Sequence, residues 1–290
     1  MYNNIPVKIS FLCNETAFGS FEDLTSKDGV KHIIEKGYRH YLVCSAPRIV
    51  FESFDAVNEK VTVKIQRGLF SFEIISVKIQ KIVIKEGGSF EVKNINGDNY
   101  PEVEVTLEDG SKYPPFRSCF EFLCSFILPE ENNPLLHEVL YVGQTEPHDK
   151  YIRLKGHETF AKIANHYLKS KPHSEIFIKL LKFSEPKYDS ANSDVKVNER
   201  WRADVANEIG KIPADQMTTL IEAALIRAYN PKFNNHYKNS FPSKNHEKYY
   251  YFYKAPIEVV EVIIDERLRN YILMLNGNQL NWLILEESFV

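Results

Sequence analysis

The side chains with the clearest chemical potential lie in the second half of the chain, in the order Tyr141, Arg153, His157, Glu222 and Asn234. Arg153 and His157 are four residues apart, so a helix would place both on one side. Arginine binds phosphate through planar donors, and histidine exchanges a proton near neutral pH. Glu222 is a lone carboxylate in the apolar stretch LIEAALI, and a hard divalent cation needs such an oxygen ligand. The Tyr141 hydroxyl could position a water molecule. These types and spacings suit the chemistry of a phosphodiester.

Residues around this set are candidates for contacts to a phosphate-bearing substrate. Gly143 follows Tyr141 in the motif YVG and allows a close backbone approach. Asn234 follows Pro231 in the segment NPKFNN, where it could cap the chain after that proline. The candidate substrate-binding residues are Gly143, Lys150, Lys232 and Lys238, with Lys244 close behind them. No role is assigned to His137, His148 or His166.

The elements that must position these residues have a readable order. Strands are predicted at 120–128 (FEFLCSFIL), 135–143 (LLHEVLYVG) and 175–183 (EIFIKLLKF). A helix is predicted over 151–169, and two more over 197–212 and 214–229, separated by Pro213. The first two strands are expected to be antiparallel neighbours, because the connection between them is short. The order is strand, strand, helix, strand, helix, helix.

The flanking segments are rich in strand-forming sequence. VTVKIQ, FSFEIISVKIQKIVIK and EVEVTL lie before residue 115, with one helix near 21–37, opened by Ser20. IEVVEVIID, YILML and LNWLILEE follow residue 246. The sequence therefore predicts an α+β fold with a β-rich domain at 1–115, an α/β domain at 116–245 and a β extension at 246–290. The central domain should be a small mixed or antiparallel sheet flanked by helices.

Composition is typical of a globular protein, with 43% apolar and 26% charged residues in 290. No signal peptide and no apolar run of membrane-spanning length is recognisable, so a cytoplasmic, soluble protein without a membrane partner is expected. The four cysteines, Cys13, Cys44, Cys119 and Cys124, form no CxxC pair and are expected to be free thiols.

Charge is distributed unevenly along the chain. The net charge is -3, but residues 136–255 carry 19 Lys and Arg against 14 Asp and Glu. The segment with the candidate residues is therefore the basic part, which is where a phosphate backbone would bind. The acidic balance of residues 1–135 argues against a DNA-reading surface there and favours a regulatory, ligand-sensing or oligomerising role.

The combination of motifs resembles the GIY-YIG nuclease family. YVG at 141–143 is similar to the second half of the family signature, and Arg153 with His157 matches its Arg-x3-His helix. EAALIRAYNPKFN at 222–234 is similar to the family's metal-binding Glu with its trailing Pro and Asn. The resemblance covers about 118–240. It implies catalytic roles for Tyr141, Arg153, His157, Glu222 and Asn234, with Glu222 as ligand of Mg²⁺ or Mn²⁺.

The first half of the signature is the main departure. The family's first strand supplies a tyrosine, whereas the predicted strand here reads FEFLCSFIL. By register, Cys124 takes that position, or Phe122 or Phe126 if the register is shifted. The general base is then open between His157 and Tyr141.

The resemblance implies a metal-dependent endonuclease that hydrolyses DNA phosphodiester bonds, in a setting such as restriction or anti-phage defence. Two alternatives remain: a GIY-YIG-like module that only binds nucleic acid or protein, and a nuclease that acts on RNA. Cleavage specificity, the role of the N-terminal domain and a homo-oligomeric state are left open.

Overall fold

The computed structural model describes residues 5–55, 58, 60–78, 89–94, 101–106, 137–145, 158–238, 241, 252, 257–265, 273–275, 278–280 and 282–288. The predicted strand at 120–128 lies outside these residues, as do Arg153 and His157.

The described residues form five helices and fourteen strands. The helices are α1 (Phe21–Thr25), α2 (Lys27–Lys36), α3 (Glu158–Ser170), α4 (Glu199–Ile209) and α5 (Ala214–Tyr229). The strands of the first half are β1 (Val7–Gly19), β2 (His40–Pro47), β3 (Ile49–Asp55), β4 (Lys60–Gln66), β5 (Phe72–Lys78), β6 (Ser89–Asn94) and β7 (Pro101–Thr106). The later strands are β8 (Glu138–Gln144), β9 (Ser174–Phe183), β10 (Lys187–Ser190), β11 (Ile257–Asp265), β12 (Leu273–Leu275), β13 (Asn278–Leu280) and β14 (Trp282–Ser288). The class is α+β, as predicted.

One mixed sheet organises the described part of the chain. Its order is β14-β11-β1-β9-β2-β8, and β10 also pairs with β1. β1 and β11 are parallel, whereas the other pairs of this sheet are antiparallel. The strands β3-β4-β5, β6-β7 and β12-β13 form three smaller antiparallel sheets.

The central sheet draws strands from the whole length of the chain. β1 and β2 come from the segment predicted as an N-terminal domain, β8 and β9 from the central segment, and β11 and β14 from the C-terminal extension. The boundaries predicted after residues 115 and 245 therefore fall between strands of one hydrogen-bonded sheet. Strand β8 is the last strand in the described order, so one of its edges is available to other parts of the chain.

Apolar side chains cover both faces of this sheet. On one face, α4 and α5 pack on strands through a core that includes Val205, Leu220, Leu225, Leu42 and Val142. On the other face, the core contains residues of α1, α2 and α3, namely Leu24, Ile33, Ile163 and Tyr167. Because side chains alternate along a strand, neighbouring residues of β2 and β8 reach opposite faces.

Local sequence explains where the helices begin and end. The helix predicted near 21–37 is divided into α1 and α2 at Ser26, whose hydroxyl accepts a hydrogen bond from the Gly29 backbone N–H. Gly37 ends α2 with φ 75°, a left-handed conformation that glycine adopts without strain. Pro213 lies between α4 and α5, as expected, and Asn230 ends α5 in the left-handed region with φ 45°.

Candidate functional site

Gly143 lies directly opposite Tyr41 in the antiparallel pairing of β8 with β2. A β-carbon at Gly143 would lie 2.5 Å from the Tyr41 hydroxyl oxygen, so a larger residue would displace the ring. The Tyr41 side chain is buried, with 4% of its surface exposed. Glycine is therefore required for close approach, because it allows an aromatic ring from one strand to lie across the backbone of the next.

Tyr141 lies on the same face of the sheet as Tyr41. The two ring centroids are 6.1 Å apart, and the planes are inclined by 38°. Tyr141 is half-buried and packs against the core that also contains Tyr41 and Leu140. Two phenol groups therefore occupy one side of β8 near its end.

Glu222 reaches the end of β8 from the opposite face. Its Oε2 accepts a hydrogen bond of 3.0 Å from Nε2 of Gln144, the residue that follows Gly143. Glu222 is half-buried, and most of its neighbours in α5 are buried apolar residues. A hydrogen bond to an ionised carboxylate is stronger than one between neutral groups, and it fixes the direction in which the carboxylate points.

His40 links the strand of Tyr41 to the helix of Glu222. It lies opposite Gln144 in the β2–β8 pairing, and its Nε2 is 2.9 Å from the backbone oxygen of Thr218, one turn before Glu222. Since a carbonyl only accepts, Nε2 carries the proton and donates. The pKa of His40 is lowered from 6.5 to about 4, mainly by burial; the Thr218 hydrogen bond opposes this shift, and the charge of Arg39 adds to it. His40 is therefore uncharged at neutral pH, and its hydrogen bond connects β2 to α5.

The lowered pKa of His40 predicts a loss of stability in acid. The unfolded chain binds the proton near pH 6.5 and the folded chain only near pH 4, so stability falls as pH drops through this interval. The full effect is about 3 kcal/mol, since one pKa unit corresponds to about 1.4 kcal/mol. Urea unfolding between pH 7.5 and 4 should show this slope, and His40→Gln should reduce it because glutamine donates without titrating.

His32→Gln provides the matched control, because His32 is exposed on α2. It should keep the wild-type slope. Parallel pH profiles for wild type and His40→Gln would show that His40 is not the titrating group.

Asn234 is bound to the backbone of β8 through both ends of its amide. Its Oδ1 accepts from the Val142 N–H at 2.8 Å, and its Nδ2 donates to the Val142 carbonyl at 2.9 Å. The preceding residue, Phe233, donates its backbone N–H to the Leu140 carbonyl at 3.0 Å. The segment after α5 therefore runs along β8 and supplies hydrogen bonds that a neighbouring strand would otherwise make.

The predicted lysines take different positions. Lys232 is exposed, and its Nζ lies 3.0 Å from Nε2 of His166 on α3. Lys238 is half-buried, and its backbone carbonyl accepts a hydrogen bond from Arg227 of α5. Lys232 is thus close to β8 through its neighbours Phe233 and Asn234, whereas Lys238 contacts α5.

The structure brings Tyr141, Gly143, Glu222 and Asn234 together around the end of β8. Arg153, His157, Lys150 and Lys244 lie outside the described residues, as do Phe122, Cys124 and Phe126. In the described part of the chain, no group of three or more His, Cys, Asp or Glu side chains could hold a metal ion.

Three residues at this site were not predicted from the sequence: Tyr41, Gln144 and His40. The run HYLVCSA at 40–46 has the composition of a buried strand, which was the available signal. Its pairing with β8 could not be read from it, because residues 48–137 separate the two strands.

No protein-family model, no curated protein and no solved structure matches this chain. Within the residues that the structure describes, no helix has the length and apolarity needed to cross a membrane.

Proposed function

We propose that the chain is a metal-dependent endonuclease of the GIY-YIG type that hydrolyses DNA phosphodiester bonds. One observation carries the proposal: Gln144 holds the Glu222 carboxylate at 3.0 Å, directly after the Gly143 against which Tyr41 packs. A phenol and an oriented carboxylate on the two sides of one strand end can act together on a phosphate placed at that end.

Tyr41 supports the proposal because it would supply the tyrosine that the predicted first signature strand lacks. The first signature strand should lie beside the YVG strand and carry a tyrosine. β2 lies beside β8 and presents Tyr41 opposite Gly143. We therefore assign the first half of the signature to β2 in place of the strand around Cys124. On this assignment, the segment between β2 and β8 is a long insertion between the two signature strands.

The groups at the end of β8 suit Mg²⁺ or Mn²⁺. Both ions prefer hard oxygen ligands, and magnesium is commonly held by one or two carboxylates with substrate phosphate and water. Glu222 supplies the carboxylate, and its hydrogen bond to Gln144 restricts its orientation before any ion arrives. When bound, such an ion supplies positive charge that stabilises the leaving oxygen.

The protein side chains account for the remaining steps of hydrolysis. A water attacks phosphorus in line with the departing sugar oxygen, and Tyr41 orients this water and, in its phenolate form, takes the proton that the water loses. Tyr41 is favoured over Tyr141 because its hydroxyl lies across Gly143, the residue before Gln144, which donates to Glu222, whereas Tyr141 lies two residues earlier in β8. Arg153 is proposed to stabilise the phosphoryl oxygens, and His157 to exchange a proton.

The experiment that tests the proposal is cleavage of supercoiled plasmid and of single-stranded RNA with Mg²⁺ or Mn²⁺. Glu222→Gln keeps the size of the side chain and removes its charge, so cleavage should fall at least about 100-fold, which corresponds to about 3 kcal/mol of transition-state stabilisation. Manganese binding, followed by calorimetry, should weaken in the same variant.

Glu208→Gln is the matched control, since Glu208 is an exposed carboxylate on α4 that pairs with Lys211. It should cleave like wild type. Equal metal-dependent cleavage by wild type and Glu222→Gln would contradict the assignment of Glu222. Cleavage confined to RNA would contradict the DNA substrate.

A further inference from the structure

One exposed side of α3 carries basic residues at helical spacing. Lys162, His166 and Lys169 are separated by four and three residues, so they project from neighbouring positions of the helix surface. All three are exposed. The buried residues Ile163 and Tyr167 face the core beneath the helix, so this basic side is directed away from it.

Lys232 extends the basic side of α3 towards β8. Its Nζ donates to Nε2 of His166 at 3.0 Å, and both side chains lie against Phe233, with the Lys232 ammonium 5.7 Å and the His166 ring 5.7 Å from the Phe233 ring centroid. An anion stabilises an ammonium that lies next to an imidazole, because both groups can direct an N–H donor towards the anion. We call Lys162, His166, Lys169 and Lys232 the α3 strip.

The charge of the strip is only partly neutralised by its own acids. Glu158 pairs with Lys162 at 2.7 Å, one turn away on the same helix. Glu138 is occupied elsewhere, since it accepts hydrogen bonds from Tyr167 and Lys171. The positive charge of the strip therefore rests mainly on Lys169 and Lys232, with Lys162 available if a stronger anion displaces Glu158.

The strip begins beside the candidate site. Phe233 and Asn234, which follow Lys232, are hydrogen-bonded to Leu140 and Val142 on either side of Tyr141. α3 has 13 residues. At about 1.5 Å per residue it is about 20 Å long, which matches about six base pairs of duplex DNA at about 3.4 Å each.

We propose that the α3 strip binds the sugar–phosphate backbone of duplex DNA next to the bond that is cleaved. The proposal rests on the proposed function for the identity of the substrate. The charges favour the backbone over the bases: lysine ammonium groups on an exposed helix surface bind phosphate as point charges and carry no sequence information. Binding should therefore depend on salt and be independent of DNA sequence.

The test is the affinity of a short duplex DNA measured by fluorescence anisotropy in EDTA, where binding is separated from metal-dependent cleavage. The double variant Lys169→Ala/Lys232→Ala should bind at least about tenfold more weakly at low salt. The slope of log Kd against log salt concentration should fall by about one for each phosphate contact removed. Lys232→Arg should bind like wild type, because it preserves the charge.

Lys196→Ala/Lys211→Ala is the matched control, since both lysines are exposed and flank α4, which packs in a different core from α3. It should leave both the affinity and the slope unchanged. An unchanged affinity and slope in the strip variant, or a wild-type chain that does not bind duplex DNA, would overturn the proposal. Displacement of the duplex only by RNA would overturn the assignment to DNA.

The outcomes also separate this proposal from the nuclease proposal. Loss of duplex binding in the strip variant, together with no metal-dependent cleavage by wild type, would support the strip and contradict the nuclease. Cleavage that requires Glu222 but is equally fast in the strip variant would support the nuclease and contradict the proposal for the strip.

Discussion

Tyr41→Phe is expected to lower the rate of metal-dependent cleavage by about 10²- to 10⁴-fold, the usual contribution of a positioned proton-transfer group. Phenylalanine fills the same space across Gly143, so the pairing of β2 with β8 should persist while the hydroxyl is lost. Single-turnover cleavage of plasmid DNA measures the rate, and duplex binding in EDTA should be unchanged. The variant therefore separates chemistry from binding.

Tyr38→Phe is the matched control for this substitution. Tyr38 is also buried, and its hydroxyl donates to the Glu15 carboxylate of β1 at 2.8 Å. Loss of this hydrogen bond should cost about 1 kcal/mol of stability and leave the cleavage rate unchanged. Full activity in Tyr41→Phe, with loss of activity in Tyr141→Phe, would transfer the role to Tyr141.

The elements with strong local patterns were predicted from the sequence. The apolar runs at 175–183 and 257–265 form β9 and β11, and the helices on both sides of Pro213 form α4 and α5. Each of these depends on periodicity and on the residues at its ends, which are properties of neighbouring residues. Cys13 and Cys44 are buried thiols, which agrees with the expectation for these two residues.

The pairing of distant strands could not be predicted in the same way. The sequence predicts that β8 pairs with the segment just before it, because short connections usually join antiparallel neighbours. The strand that pairs with β8 in the described sheet is β2, from much earlier in the chain. The parallel contact of β1 with β11 likewise joins residues near the two ends of the sequence. The composition of a segment indicates that it forms a strand. It does not identify the partner strand, because many strands of similar composition can pair with it.

The same limit explains which site residues were missed. Glu222 and Asn234 were predicted because they share a local motif with Pro231, whereas Tyr41 and His40 acquire their positions only through the β2–β8 pairing. Gln144 immediately follows the YVG motif, but its contact with Glu222 depends on how α5 packs on β8. Motif spacing therefore predicts the site residues that lie in one segment of the chain. The residues that orient them are brought close only by the tertiary structure.

Asn234→Leu is expected to be the most destabilising of the substitutions considered. Leucine has a similar size but removes both hydrogen bonds to Val142, leaving a backbone N–H and a carbonyl of β8 without these partners. Each buried polar group left unsatisfied costs about 1–3 kcal/mol, so the free energy of unfolding should fall by about 2–6 kcal/mol. Urea unfolding followed by circular dichroism measures this difference. Asn235→Leu is the control, because Asn235 is exposed and should change stability by less than about 0.5 kcal/mol.

Asn234→Asp distinguishes loss of hydrogen bonds from a general packing defect. An ionised aspartate still accepts from the Val142 N–H but opposes the Val142 carbonyl, whereas a protonated aspartate donates to that carbonyl and restores both bonds. The folded state therefore raises the pKa of this carboxyl, so the stability it contributes is present at low pH and lost as pH rises through the folded value. Relative to wild type at the same pH, Asn234→Asp should recover stability on acidification and Asn234→Leu should not. If both variants lose the same amount of stability at every pH, Asn234 stabilises the protein through packing. The position of β8 beside Glu222 would then not depend on the hydrogen bonds of Asn234.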